Sequence, residues 1–355
     1  MDQIWWKQIP KANRFLHAVT NTLLAEKSVI LFLPPAIPWR QTLYTLAEEI
    51  LRQGNPNNQL CRFHCPPGDP GEYLFNQFCP GEKRAIYRRG TSYAAFLART
   101  DGLVLNNRYL WVQDVPPNQL DAWTRFLVEY QKNLSQTLPP AVFLLETTET
   151  AGRKAVKGVQ NLRFSDSIDA YDRFAFCALA STEGSVSAPL RPYLAELVSN
   201  LCDSDVELCA ACIQRGEYFL QAAEESLTSI ARERTHSDGT PFDTTPILAT
   251  FPERLWESQI RILFPILQAY RSNLIHRYWN QLARALPVEN AFQEVITDPQ
   301  DLELGMLVRM VGLGSLFLPD PEYERLVRYR DARNNLAHMK PVDFSVVHQI
   351  LTCCL

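Results

Sequence analysis

The chain has 355 residues, 46% hydrophobic and 21% charged, with a formal charge of −4 and a pI near 5.9. That make-up belongs to folded globular domains, and the length allows two or three of them, each with its own core. The acidic balance excludes a protein that coats nucleic acid through bulk charge, so any such contact has to be local.

No stretch reaches about 18 consecutive apolar residues, so no membrane span is expected. The opening Met-Asp-Gln-Ile-Trp-Trp lacks the charged-then-apolar plan of a signal peptide, and a cytoplasmic protein is expected. Over 1–166, short apolar runs alternate with amphipathic helices, the pattern of an α/β layer. Residues 28–33 predict a buried strand stopped by Pro34 and Pro35, and 39–52 a helix. A second strand over 109–115 leads into a helix over 118–133; 141–146 predicts a third strand and 161–164 a short fourth.

Nine cysteines, an odd and scattered set, do not make a disulfide framework. Cys61, His64, Cys65 and Cys79 offer soft donors but lack the paired Cys-x-x-Cys spacing of a zinc site. Cys209 and Cys212 form a Cys-x-x-Cys inside a run that reads as a buried helix, with thiols packed like small apolar groups. No metal and no cofactor are expected. Lys83-Arg84 and Arg88-Arg89 lie near Tyr87 and Tyr93. Basic residues among aromatics suit single-stranded nucleic acid, and equally a solvated loop and helix start.

The strand–helix order of 1–166 resembles the core of P-loop ATPases of the AAA and STAND type. In that resemblance the first strand leads into the phosphate loop, Asp114 stands where a magnesium-binding carboxylate would, and the third strand is the sensor strand. The departure lies in Pro34-Pro-Ala-Ile-Pro-Trp-Arg-Gln-Thr42, which holds neither glycine nor Gly-Lys-Thr. A phosphate loop wraps phosphates with backbone N–H groups, and three prolines remove three of them. A degenerate domain without ATPase activity is expected, with an unrelated α/β domain as the alternative. A nucleotide-dependent switch around Arg40, Thr42 and Asp114 is a further reading.

From 167 onward the strand pattern stops. Helical spacing over 168–179, 190–201, 206–215 and 217–232 predicts an all-α linker or lid over 167–233, and the polar run 234–246 reads as a domain boundary. A C-terminal helical bundle follows over 247–355. Its helices are expected at 252–286, kinked or broken at Pro265, then at 301–311, 321–339 and 344–353.

The helix over 321–339 carries Tyr329-Arg-Asp-Ala-Arg-Asn-Asn-Leu-Ala-His-Met-Lys-Pro341. Arginine holds phosphate oxygens in a bidentate grip and histidine moves protons near neutral pH. On a helix, Asn334 and His338 share a face and Arg333 lies about 140° round from His338. Arg330 and Arg328 can flank the same patch, with Leu326, Tyr329, Leu336 and Ala337 on the buried side. Plain structural roles fit too: Arg333 paired near Asp331 or with Glu324, and His338 closing the helix end. There is no Gly-x-Ser-x-Gly and no His-Glu-x-x-His.

Arg-Asn followed by three residues and His, closed by Met-Lys-Pro, resembles the signature of HEPN domains, small helical bundles of which many cut RNA. The resemblance implies a metal-independent endoribonuclease with catalytic Arg333, Asn334 and His338 and substrate-binding Arg330 and Arg328. It also implies a homodimer through the C-terminal bundle, RNA as substrate, a 2′,3′-cyclic phosphate product and a bacterial defence or toxin setting, with a protein partner in a defence complex. The alternative is a non-catalytic assembly protein that uses both domains as docking surfaces.

Overall fold

The computed structural model describes residues 1–88, 90–99, 104–134, 140–148, 156–164, 169–289 and 293–352. Arg89, Ser167, Ile168 and Cys353, named above, lie outside them. The chain divides into two compact units, Met1–Ile168 and Asp169–Leu355.

The first unit begins with α1 (Asp2–Gln8) and α2 (Pro10–Leu24), followed by β1 (Ser28–Phe32), α3 (Arg40–Gly54) and β2 (Gln59–His64). Next come α4 (Pro70–Phe78), α5 (Gly81–Arg84), α6 (Tyr93–Arg99), β3 (Arg108–Gln113), α7 (Pro117–Asn133), β4 (Val142–Thr147) and β5 (Val159–Arg163). The five strands are all parallel, in the order β2-β3-β4-β1-β5. A parallel sheet needs helical crossovers on its faces. Ile30, Phe32, Leu110, Val112, Phe143 and Leu145 meet α4, α6 and α7 in one core. On the other face α2 packs on β1, and Tyr44 of α3 meets Trp111 of β3 edge-on at 5.0 Å. This is an α/β architecture.

Several elements were not anticipated, among them α1, α2, β2 and the helices α4 and α6. Helices α1 and α2 bury Trp5, Trp6, Phe15 and Leu16, and Trp6 and Phe15 both pack on Phe164. Strand β2 lies at the sheet edge with a half-exposed pattern that its sequence, Gln-Leu-Cys-Arg-Phe-His, does not advertise.

The second unit is almost entirely helical. It contains α8 (Ala170–Thr182), α9 (Arg191–Leu201), α10 (Val206–Gln214), α11 (Glu217–Gln221), α12 (Ala223–Glu233) and α13 (Thr245–Ala249). These lead to α14 (Phe251–Arg277), α15 (Trp279–Ala285), a short hairpin of β6 (Val288–Glu289) and β7 (Val295–Ile296), then α16 (Leu304–Gly312), α17 (Asp320–Ala337) and α18 (Phe344–Thr352). The expected long helix does not break at Pro265, which lies inside α14. Pro265 is exposed, so the carbonyl it leaves unpaired one turn earlier faces water. The break comes at Tyr278 (φ −106°, ψ 19°) instead. No described helix is long and apolar enough to cross a membrane.

The polar run 234–246 lies within the second unit. It is clipped to α10: Ser237 donates through N–H and hydroxyl to Glu207, both at 2.6 Å, and the His236 ring packs at a tilt of 50° on Phe242, centroids 4.1 Å apart. The two ring nitrogens of His236 face acceptors, Asp205 Oδ2 at 2.8 Å and the Thr240 carbonyl at 3.1 Å. Burial disfavours the charged ring, but the hydrogen bond and charge of Asp205 outweigh it, and the pKa rises above 6.5. The clip therefore contributes fully below pH 6.5 and weakens as pH rises through the raised value. In denaturant melts from pH 5.5 to 8.5, wild type should lose stability relative to His236→Gln as pH rises. Parallel curves would contradict this clip.

Candidate functional site

Helix α17 is held by Leu326, Tyr329, Ala332 and Leu336, a buried stripe at three- and four-residue spacing. Tyr329 packs on Tyr270 of α14, ring centroids 4.5 Å apart. Ala337, expected on the buried side, is exposed, and Ala332 takes its place. Burying that stripe leaves Arg328, Arg330, Arg333 and Asn334 half-exposed around it.

The end of this helix fixes the motif. The helix stops at Ala337 rather than Met339, so His338 is the capping residue and not a helical one. Met339 takes the left-handed conformation (φ 56°). Its N–H bonds to the Leu336 carbonyl at 3.2 Å, and the Lys340 N–H bonds to the Asn335 carbonyl at 2.9 Å. That pair is the Schellman pattern for satisfying the last carbonyls of a helix. From α14, Trp256 Nε1 donates to the Leu336 carbonyl at 2.7 Å. Gln259, also on α14 and buried, holds both the N–H and the carbonyl of Val342 at 2.7 and 2.8 Å.

On this fixed end, Arg333 donates from Nη1 to Asn334 Oδ1 at 3.3 Å and from Nη2 to Glu303 at 2.9 Å. Glu303, just before α16, is the partner rather than Glu324. Arg330 turns back on its neighbour Asp331 through Nε and Nη2, at 2.8 and 2.7 Å, so much of its charge is compensated. His338 projects an exposed ring with no hydrogen-bond partner among the described residues, and its backbone N–H reaches the Asn334 carbonyl at 3.1 Å. Arg333 and Asn334 are thus joined directly, and His338 is tied to Asn334 through the backbone alone. Glu303 was not singled out in the sequence, because its 30-residue separation from Arg333 gives no local signal.

The first unit has a second polar centre. It lies at the carboxyl ends of β1, β3 and β4, where crossovers leave in opposite directions and α/β folds place ligands. Arg40 Nη1 sits 3.7 Å from Asp114 and 3.6 Å from Glu146, while its Nη2 donates to the carbonyls of Pro34 and Pro35 at 3.3 and 3.0 Å. Thr42 does not join them; its hydroxyl donates to Asp2 at 2.7 Å. His64 Nδ1 meets Asp114 Oδ2 at 2.8 Å. Glu146, 2% exposed, accepts from the Tyr44 hydroxyl at 2.9 Å and from Trp111 Nε1 at 3.0 Å. Sequence reasoning missed Glu146, whose place at the end of an apolar strand gave it the look of a boundary residue.

Cys61, His64, Cys65 and Cys79 do not converge. Cys65 is held by Trp123 and Gln119, Cys79 is buried, and His64 belongs to Asp114. Among the described residues no three His, Cys, Asp or Glu side chains come together in a metal-holding group. Cys209 and Cys212 are free, buried thiols on α10.

No family model matches the chain, and no curated protein matches it. Among solved structures it is similar to a mutant of RuvB from Thermotoga maritima. That similarity has 11% identity and a TM-score of 0.32, over 86% of this chain and 83% of that one.

Two outcomes follow from this geometry. Met339 holds a backbone conformation that glycine adopts without cost, and its side chain is 63% exposed. Met339→Gly should therefore stabilise the second unit by about 0.5–1 kcal/mol in urea melts; a loss of stability would contradict the capping assignment. Burial raises the Glu146 carboxyl above 4.5, against the opposing hydrogen bond of Tyr44 and charge of Arg40. The folded state then binds that proton more tightly than the unfolded chain, so this contribution falls as pH rises from 4.5 through the raised value. Glu146→Gln should lack that fall when melts are compared from pH 4.5 to 7.5.

Proposed function

We propose that the second unit is a metal-independent endoribonuclease of the HEPN type, working as a homodimer through its C-terminal helices. The observation that carries the reading is the capped end of α17, where half-exposed Arg333 is bonded to Asn334 and the exposed His338 has no side-chain hydrogen bond among the described residues.

In this mechanism the His338 imidazole takes the proton of a ribose 2′-hydroxyl. The 2′-oxygen attacks the adjacent phosphorus, the bond to the 5′-oxygen breaks, and that oxygen leaves with a proton supplied by the partner protomer's imidazole. Arg333 binds the non-bridging oxygens and stabilises charge as it develops, with Asn334 positioning its guanidinium. Arg328 contributes a further phosphate contact, and Arg330 does so where it leaves Asp331. The products are a 2′,3′-cyclic phosphate and a 5′-hydroxyl. Glu303 holds Arg333 until a phosphate displaces it, which restrains the free enzyme. The setting is defence or toxin action in a bacterial-type cytoplasm, with a protein partner controlling release.

A second reading is favoured by the first unit, where Arg40 occupies the would-be phosphate loop and spends its donors on Pro34 and Pro35. A chain whose nucleotide site is filled by its own side chain can serve as a scaffold, and the bundle can be a docking module of the same assembly.

Purified protein in EDTA should cleave RNA, and His338→Ala should lower the rate by at least about a hundredfold with an unchanged melt. Equal cleavage by both proteins, or none by a folded wild-type dimer, would favour the scaffold reading.

A further inference from the structure

Four buried thiols of the second unit lie against one another. Cys177 is on α8, Cys202 caps the end of α9, and Cys209 and Cys212 are on α10; none is more than 2% exposed and all four are free. Cys202 Sγ stands 3.7 Å from Cys212 Sγ, and Cys209 is hydrogen-bonded to Cys177 and Cys202. Cys202 is thus the thiol that faces both sulfurs of α10.

A single buried cysteine packs like a small apolar group. This set differs because a cation stands beside it. Arg173, one turn before Cys177 on α8, acts by its charge on Cys177 and Cys209, and its buried Nε has no hydrogen-bond partner among the described residues. Its Nη1 sits 3.6 Å from Asp203, in the exposed turn that follows Cys202. Burial opposes ionisation of Cys209, but the hydrogen bonds of Cys177 and Cys202, helped by Arg173, outweigh it and bring the thiol down to about 6. A stabilised thiolate next to a second thiol is the pairing that oxidation converts to a disulfide.

We propose that this cluster is an oxidation site, at which a hydroperoxide joins Cys202 to helix α10 by a reversible disulfide. The peroxide enters at the turn of Asp203 and Ser204. The Cys209 thiolate attacks one peroxide oxygen, the O–O bond breaks, and hydroxide leaves, taking a proton from solvent to become water. Cys202 Sγ then attacks the sulfur of the resulting sulfenic acid. The S–S bond forms, the S–O bond breaks, and the hydroxide leaves with the Cys202 proton as water. Two electrons pass from the two sulfurs to the peroxide. Cys212 exchanges into the pair by attacking Cys202 Sγ and releasing Cys209 as a thiolate. Either bond ties α10 to the end of α9, whose Asn200 and Leu201 carbonyls are held by Arg254 of α14 at 3.0 and 3.1 Å. This goes beyond RNA cleavage and does not rest on it, because no RNA enters the measurement.

The test treats the full chain, reduced and then freed of reductant, with hydrogen peroxide in buffer and separately in urea. Free thiols are alkylated, and the chain is cut before its aspartates, which separates Cys202 from Cys209 and Cys212 at Asp203 and Asp205. Mass spectrometry without reduction, with fragmentation, then places the bonds. In buffer the main product should link Cys202 to Cys209 or Cys212, and dithiothreitol should undo it. Its share of all linked peptides should be at least about threefold larger than in urea, where only chain proximity selects partners. Cys209→Ala should slow linking at least about tenfold, and Cys61→Ala, in the first unit, should leave the rate unchanged. The wild-type map decides the matter even where Cys209→Ala fails to fold. Alkylated Cys202 in the main product, bonds that join other cysteines instead, an equal share in urea, or an unchanged rate in folded Cys209→Ala would each overturn the proposal.

Discussion

The motif region depends on how α17 ends. A helix leaves its last carbonyls without partners inside the helix, and these must be met by a cap or by neighbouring groups. Here they are met by the left-handed turn at Met339 and by an indole from α14. Because Trp256 and Gln259 both reach from one helix to the residues on either side of His338, the motif is fixed to the bundle at two points. The groups proposed for catalysis inherit that anchoring: Arg333 sits on the last helical turns, and His338 sits on the cap itself. Loss of either anchor would let the cap and the helix move independently, the kind of looseness that is costly at a catalytic site.

The first unit meets a different constraint. Its parallel sheet gathers strand ends into a crevice, and the polar groups there are partnered by one another. Arg40 is shared among two proline carbonyls, Asp114 and Glu146, and Glu146 is further served by a tyrosine and a tryptophan. A buried carboxylate needs such partners, and it has them from within the chain. The two units therefore stand in contrast. One has a polar centre that is internally satisfied, and the other presents an arginine with an acidic partner and a histidine whose ring has none among the described residues.

What the sequence revealed follows from which forces were local. Strands β1, β3 and β4 were legible because burial on both faces gives continuous apolar runs, and α7, α9, α10 and α17 because their stripes repeat at helical spacing. Strand β2 was not, since an edge strand needs only half an apolar pattern. Pro265 does not end its helix, because an exposed proline in a long helix is tolerated when water reaches the freed carbonyl. At the motif, Arg333, Asn334 and His338 were visible as a string. The Glu303 partner and the Trp256 anchor were not, because each depends on residues brought together by packing across 30 and 80 positions, and the helix stop at Ala337 was hidden because Met339, not a glycine, takes the left-handed turn.

The central claim is that the end of α17 drives attack by a ribose 2′-hydroxyl without metal. The most direct test uses two RNA oligonucleotides, identical except for a single 2′-deoxy nucleotide at the mapped cut site, incubated with the protein in EDTA. The account predicts that the all-ribose strand is cut to a 2′,3′-cyclic phosphate and a 5′-hydroxyl, and that the substituted strand resists at that position. Cleavage of the 2′-deoxy position at the same rate would contradict it.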